Sequence, residues 1–98
     1  MIKELYLGFV RIHILYHAVK GPTYGLWLMQ ELRHHGYHLS PGTLYPILHK
    51  MEKGKYLKSY AELVNGKIRK YYKITVLGKK TLFDAKKKVG ELMKEIEE

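Results

Sequence analysis

The stretch SPGTLYPILHKMEKGKYL (residues 40–57) decides how the chain folds, because it combines a strong helix pattern with a helix-breaking residue. Four of its apolar residues recur at helical spacing and predict one buried face: Leu44, Ile47, Leu48 and Met51. Ser40 is the predicted N-cap, Pro41 suits the first turn, and Gly54 is predicted to end the helix. Pro46 lies inside the helix and faces the carbonyl of Gly42, so we expect a kink rather than a break.

The polar side of this predicted helix carries hydroxyl, imidazole and ammonium groups. They belong to Thr43, Tyr45, His49, Lys50 and Lys53, and Ser40 precedes them at the N-cap. Such groups suit a helix that enters the DNA major groove with its N-terminal end first. An ordinary solvated helix face is the alternative interpretation, and the helix alone does not decide between the two.

The next segment, residues 57–74, predicts a β-hairpin closed by the two-residue turn Asn65-Gly66. Pairing outward from this turn sets Val64 opposite Lys67, Glu62 opposite Arg69, Tyr60 opposite Tyr71 and Lys58 opposite Lys73. One face of the hairpin is then predicted to face the core: Leu57, Ala61, Leu63, Ile68, Tyr72 and Ile74. The other face is basic with interleaved tyrosines: Lys58, Tyr60, Lys67, Arg69, Tyr71 and Lys73.

The positive charge of the chain is concentrated around this hairpin. The formal net charge is +9, and residues 50–73 carry eight basic and two acidic side chains, which is +6 of that total. A patch of one sign is typical of a protein that binds a polyanion, and together with the preceding helix it indicates double-stranded DNA. Three helices followed by a basic hairpin predict a winged helix-turn-helix domain, mainly α with a small β-hairpin.

The N-terminal helix is predicted to cover residues 3–19 and is apolar on both sides. One stripe comprises Leu5, Phe9, Ile12, Tyr16 and Val19, and the opposite side carries Leu7, Val10, Ile14 and Leu15. A helix that is apolar all round needs burial all round, which favours contact with a partner subunit. A second helix is predicted from Tyr24 to about His35, capped by Thr23 and ended by Gly36.

Thr75 is predicted to cap a final helix that runs through residue 97. Its apolar residues follow a heptad pattern and are Leu82, Ala85, Val89, Leu92 and Ile96. This pattern favours dimerisation over packing within one chain, so we predict a homodimer whose interface contains these residues together with Leu5 and Phe9. The predicted organisation is a winged helix-turn-helix domain (1–75) and a dimerisation helix (76–98) in one compact unit.

Other classes of protein fit the sequence less well. The chain has no cysteine, no paired carboxylates, no nucleophile motif and no phosphate-binding glycine loop, so we predict neither an enzyme nor a cofactor. The N-terminus lacks a cleavage site and no apolar run approaches membrane-spanning length, which predicts a cytoplasmic protein without a membrane partner.

Histidines form the remaining motif. His13 and His17 are spaced one helical turn apart, and His34, His35 and His38 cluster near a turn. No carboxylate lies close to His13 and His17 in sequence and the chain has no cysteine, so we interpret the histidines as packing or surface residues and predict no metal site. A metal- or ligand-responsive sensor, or an interaction module that does not bind DNA, are the alternatives. Salt-sensitive binding to duplex DNA would exclude the interaction module.

Nearly the whole sequence resembles the PadR family of winged-helix transcriptional regulators. The segments that carry the resemblance are GPTYG (21–25), SPGTLYPILHKMEKGKYLKS (40–59), GKIRKYY (66–72) and ITVLG (74–78). It implies a homodimeric and usually repressing regulator, in which residues 40–53 read the groove and the hairpin, with Lys67, Arg69, Lys70 and Tyr71, is the wing.

The resemblance also implies that the final helix mediates dimerisation and that a small aromatic effector binds between subunits. Tyr6 and Trp27 are the candidate pocket residues, although Trp27 has a second interpretation as core filling. The C-terminal helix lacks the tryptophan on which the aromatic-binding members stack their ligands.

Overall fold

Four helices and a small sheet make up the chain. The computed structural model describes residues 1–98, with helices α1 (Ile2–Lys20), α2 (Gly25–His34), α3 (Pro41–Lys53) and α4 (Val76–Glu97). The strands are β1 (Thr23–Tyr24), β2 (Leu57–Val64) and β3 (Lys67–Ile74), which form one antiparallel sheet in the order β1-β3-β2. The predicted fold class, a mainly helical winged helix-turn-helix with a C-terminal helix, is confirmed.

The hairpin has the predicted register. Val64 lies opposite Lys67, and Tyr60 lies opposite Tyr71. At the turn, Asn65 has φ 50° and Gly66 has φ 79°, the two positive values that a type I′ turn requires. The local turn signal therefore sets the pairing of all eight residues in each strand.

The apolar face of the hairpin reaches the core only at its base. Leu57 and Tyr72 are buried, but Leu63 is 75% exposed and Ile68 is 78% exposed, and Ala61 is exposed too. The prediction that these last three face the core was wrong. Eight extended residues span about 26 Å, which is more than a core of this size can cover, so the tip projects into solvent. This projecting tip is the wing.

A short strand precedes α2 where the sequence predicted the start of a helix. Thr23 pairs with Tyr72 and Tyr24 pairs with Tyr71, so β1 covers the outer edge of β3. Helix α2 begins at Gly25, and no side chain caps it. The predicted Thr23 cap was therefore wrong, because this residue is used for strand pairing and its buried hydroxyl has no hydrogen-bond partner.

One cluster of twelve buried residues forms the core. It contains Val10, Ile14, Leu15 and Ala18 of α1, Leu28 and Leu32 of α2, Leu44, Ile47, Leu48 and Met51 of α3, and Leu57 and Tyr72 of the sheet. The predicted buried face of α3 is thus confirmed. In α1 only one side is buried in this core, and most of the stripe from Leu5 to Val19 stays exposed.

Helix α3 runs unbroken through Pro46. Ser40 occupies the N-cap position, but its side chain makes no capping bond to the helix backbone, contrary to the prediction; its Oγ lies 3.3 Å from Thr43 Oγ1 instead. At the other end Gly54 is the C-cap and Lys55 takes the left-handed conformation, with φ 71°. A Cβ on Gly54 would lie 2.8 Å from the ring of Tyr56, so close packing explains the glycine.

Helix α4 is fastened to the loop that follows α3. The Thr75 hydroxyl accepts a hydrogen bond from the Gly78 N–H (3.0 Å), as the predicted cap requires, and donates to the Lys55 carbonyl (2.6 Å). A Cβ on Gly78 would clash with the carbonyl oxygen of Tyr56. The sequence ITVLG therefore places the start of α4 directly against the backbone of residues 55 and 56.

Beyond this junction α4 extends past the rest of the chain. It packs on α1, yet Gly78 is its only buried residue. The molecule measures 54 × 28 × 20 Å and its radius of gyration is 14.3 Å, against about 13 Å for a compact chain of this length. No helix has the length and apolar character needed to cross a membrane.

Candidate nucleic-acid interface

A cleft of about 440 Å³ lies between the wing and the junction of β1 with α2, and Tyr45 is the one residue of α3 that borders it. Its walls are Tyr24, Gly25, Leu26 and Tyr45 on one side, and Val64, Asn65, Lys67, Ile68, Arg69 and Lys70 on the other. The cleft therefore brings together four of the predicted DNA-binding residues, one from the helix and three from the wing. Three cations on one side of a groove provide a site for an anionic ligand.

Tyr45 is held in this cleft by its contact with α2. A Cβ on Gly25 would lie 2.6 Å from the Tyr45 ring, so the ring occupies the space that a larger residue would fill. The hydroxyl oxygen is among the atoms closest to Gly25, and Tyr45 as a whole is 45% exposed. The two partners of this contact come from two of the segments that resemble the PadR family, because Gly25 ends GPTYG and Tyr45 lies in SPGTLYP.

The other polar residues of α3 lie at different places along the helix. Ser40 and Thr43 are joined by their hydroxyls at the N-terminus, and His49 and Lys53 are exposed further along. Lys50 borders a separate cavity together with Arg11 and Thr81. Of the polar residues of α3, the structure thus places only Tyr45 in the cleft with the wing, and Lys50 borders a different cavity.

Three tyrosines form a row across the outer face of the sheet, one from each strand. The rings of Tyr60 and Tyr71 are stacked with centroids 5.5 Å apart, and Tyr24 meets Tyr71 edge-on at 5.5 Å. The Arg69 guanidinium lies 4.0 Å from the centroid of the Tyr24 ring. Stacking of this kind limits the rotamers of the arginine.

Lys70 points to the other face of the sheet, towards α3. Its Nζ lies 3.4 Å from Oε1 of Glu52, and the other carboxylate oxygen, Oε2, accepts a hydrogen bond from the Ser59 hydroxyl. The Ser59 hydroxyl, and then the charge of Lys70, lower the pKa of Glu52. The predicted wing residues therefore divide, because Arg69 and Tyr71 lie on the outer face while Lys70 pairs with the end of α3.

Sequence reasoning missed part of this cleft. Tyr24, Leu26, Asn65 and Ile68 border it but were not among the predicted site residues. Asn65 and Ile68 were assigned to the turn and to the core. Tyr24 was assigned to the start of the second helix, and only its pairing with β3 brings it under Arg69.

The predicted effector residues do not share a cavity in the chain. Tyr6 contacts Tyr37 at 6.4 Å between ring centroids, whereas Trp27 meets His17 at 5.2 Å, and His13 lies between these two contacts. A larger cavity of about 730 Å³ lies instead between α1 and α4. It is lined mainly by Phe9, Ile12, Tyr16, Val19, Leu82 and Val89.

This arrangement of three helices, an edge strand and a projecting hairpin defines a winged helix-turn-helix protein. A family model described as the transcriptional regulator PadR-like family matches residues 14–84. The transcriptional regulator Rv3488 of Mycobacterium tuberculosis is 41% identical over 95 residues, which cover 97% of this chain and 89% of that protein. The chain therefore belongs to the PadR-like family of transcriptional regulators.

Solved structures of this family have the same fold. A PadR family transcriptional regulator from Eggerthella lenta superposes with a TM-score of 0.84 at 29% identity, covering 98% of this chain and 85% of that one. A PadR-like transcriptional regulator from Bacillus cereus gives a TM-score of 0.85 at 30% identity, covering 95% and 92%. The likeness extends over α4 as well as the winged helix-turn-helix.

Proposed function

We propose that the protein is a sequence-specific DNA-binding repressor that binds an inverted-repeat operator as a homodimer. The cleft between α3 and the wing is the observation that carries the proposal. It brings Tyr45 of α3 together with Lys67 and Arg69 of the wing, and Lys70, which is paired with Glu52, borders the same cleft.

The two sides of the cleft have different tasks in this proposal. Thr43 and Tyr45, at the N-terminal half of α3, face base edges in the major groove. Lys67 and Arg69 bind phosphates or the minor groove, because the wing tip projects beyond the core. Ser40, His49, Lys53 and Tyr71 contribute contacts along the rim, and Lys50 and Lys70 act mainly through the positive field.

Dimerisation rests on the apolar surface that one chain leaves uncovered. Val89, Leu92 and Ile96 on α4 are exposed in the chain, as are Leu5 and Phe9 on α1, while Leu82 and Ala85 are partly covered. A contiguous apolar surface of this kind marks an interface. Residues 76–98 would then serve as the dimerisation helix, and residues 1–75 as the DNA-binding unit.

A small aromatic effector has a candidate site in the cavity between α1 and α4. The cavity has about 730 Å³ and is predominantly apolar, and Phe9, Leu82 and Val89 are shared with the proposed dimer surface. A ligand there would touch both elements that set the spacing of two subunits. This cavity suits an effector better than the separated Tyr6 and Trp27.

Selection of random duplexes with the purified protein tests the main proposal. We expect an enriched inverted repeat whose half-sites lie about one helical turn, 34–36 Å, apart. A Lys67→Glu, Arg69→Glu variant should enrich nothing, since it reverses two charges at the wing without touching the core. Enrichment of unrelated sequences, or the same enrichment by this variant, would contradict the proposal. Transcription from a template with the selected operator over the promoter should fall as protein is added, and unchanged or increased transcription would contradict the repressor role.

A further inference from the structure

Four metal-ligating side chains converge between α1 and α2, away from the cleft. His13 and His17 are one turn apart on α1, and His35, the C-cap residue of α2, follows Glu31 of that helix by four residues. Residues at this spacing share a helix face. The two pairs of potential ligands therefore face each other, and a cation between them could contact all four side chains.

The distances between these groups are close to those of a metal centre. The ligand atoms of His13, His17 and His35 all lie within 4.8 Å of one another. The Glu31 carboxylate lies 3.9 Å from His17 Nε2 and 3.7 Å from His35 Nε2. A tetrahedral zinc ion with bonds of 2.0–2.1 Å separates its ligands by about 3.4 Å. The three imidazoles form the compact group and Glu31 lies beside two of them, so side-chain rotation is needed to bring four ligand atoms to that spacing.

His17 gives a second, independent indication. Its side chain is only 9% exposed, and its Nε2 has no hydrogen-bond partner. Buried polar atoms are nearly always satisfied, so this nitrogen lacks the ligand that its position demands.

We propose that His13, His17, Glu31 and His35 bind one divalent transition-metal ion, of which Zn²⁺ fits best. Three imidazoles and one carboxylate are ligands that zinc accepts in tetrahedral geometry. The histidine pair was visible in the sequence, but Glu31 lies 14 residues from His17 and only the packing of α2 on α1 joins them. In the alternative without a metal, the Glu31 carboxylate serves only as a shared ion-pair partner of the nearby histidines, since it also lies 3.9 Å from His34 Nδ1.

Cobalt titration of the full-length, chelator-treated protein distinguishes a metal site from a cluster in which Glu31 only pairs with the histidines. Co²⁺ in a tetrahedral site absorbs visible light strongly, and it should quench Trp27, whose ring centroid is 5.2 Å from that of His17. We expect one ion per chain, displaced by Zn²⁺. Glu31→Gln and His35→Ala, at partly exposed positions, should each weaken binding by about tenfold or more.

The matched control is His38→Ala, which removes an exposed histidine outside the cluster. It should bind Co²⁺ like the unaltered protein, with the same spectrum. Three results would overturn the proposal: no binding, binding without the tetrahedral spectrum, or equal affinity in the unaltered protein and both ligand variants. Circular dichroism of each variant shows whether a loss of binding reflects a loss of fold.

Discussion

At the scale of single residues, the contact between Gly25 and Tyr45 determines where a hydroxyl group sits in the cleft. The ring rests where a Cβ on Gly25 would be 2.6 Å away. Because only the far end of one side chain is in the way, a larger residue would displace the ring without disturbing the backbone. Gly25 therefore affects the position of the Tyr45 side chain in the cleft more than it affects the stability of the fold.

Gly25→Ala tests this interpretation. We expect the free energy of unfolding to change by less than about 1 kcal/mol, because alanine favours the helix while the ring swings away. Discrimination between cognate and unrelated duplexes should fall by about 1–3 kcal/mol, the worth of one base contact. A variant that keeps full discrimination, measured by competition binding, would show that the position of Tyr45 does not matter. Tyr45→Phe, which keeps the ring and removes the hydroxyl, is the matched comparison.

Glu52 gives a pH-dependent prediction. Its pKa is lowered from 4.5 by the Ser59 hydroxyl and then by Lys70. A lowered pKa in the folded state stabilises the fold above the unfolded pKa, and this contribution disappears as the pH falls through the folded value. Glu52→Gln should therefore be less stable than the original protein at pH 7, and the difference should shrink below about pH 4.5.

Urea denaturation between neutral and acidic pH measures this difference. Glu62→Gln is the control, because Glu62 is exposed on the opposite face of β2, and this variant should retain the pH dependence attributed to Glu52. A stability difference between Glu52→Gln and the original protein that is the same at all pH values would mean that the carboxylate charge does not stabilise the junction of α3 and the wing.

At the scale of elements, α4 contains two glycines whose replacement by alanine is expected to have opposite effects on stability. Gly78 touches the Tyr56 carbonyl, whereas nothing lies within 4 Å of a Cβ placed on Gly90. Gly90→Ala should stabilise the protein by up to about 1 kcal/mol through helix propensity. Gly78→Ala should destabilise it by about 1–3 kcal/mol, because the obstacle is backbone and cannot rotate away. Thermal unfolding of the two variants measures both effects, and equal shifts would refute the proposed tight junction.

The elements that could be predicted from sequence are those set by neighbouring residues. The Asn65-Gly66 turn fixed the hairpin register, and the spacing from Leu44 to Met51 identified the buried face of α3. Strand β1 could not be found this way, since two residues carry no period and their pairing with β3 depends on tertiary contact. The exposure of Ile68 depends on how far the core extends along the hairpin, and the local sequence pattern does not predict that extent.

The candidate cleft was predictable to the same extent. Tyr45 and Arg69 were identified from helix face and strand alternation, because both follow from local geometry. The Lys70 pair with Glu52, the Tyr24 platform beneath Arg69 and the Glu31 contact with His17 each join residues at least fourteen positions apart. Such contacts arise from packing, so the sequence indicated the chemistry but not the partners.

At the scale of the whole molecule, the exposed heptad residues of α4 are expected to hold two chains together. Leu92 is 51% exposed in one chain, and a lysine there would be tolerated unless a partner covers it. We expect Leu92→Lys to yield monomers or a much weaker dimer in sedimentation velocity, since a buried unpaired charge costs several kcal/mol. Glu91→Lys is the control, because residue 91 lies on the opposite side of α4, and it should sediment as a dimer. Identical behaviour of the two variants would place the interface elsewhere.

The salt dependence of duplex binding tests the central proposal most directly. If a dimer neutralises about six to ten phosphates, log K for the selected operator should fall with log salt at a slope of about −5 to −9. Arg69→Ala should reduce the magnitude of that slope by about one per subunit and weaken unrelated duplexes equally. Fluorescence anisotropy with a labelled duplex gives both values. Binding that does not change with salt, or no binding to any duplex at low salt, would contradict the assignment of the cleft to DNA.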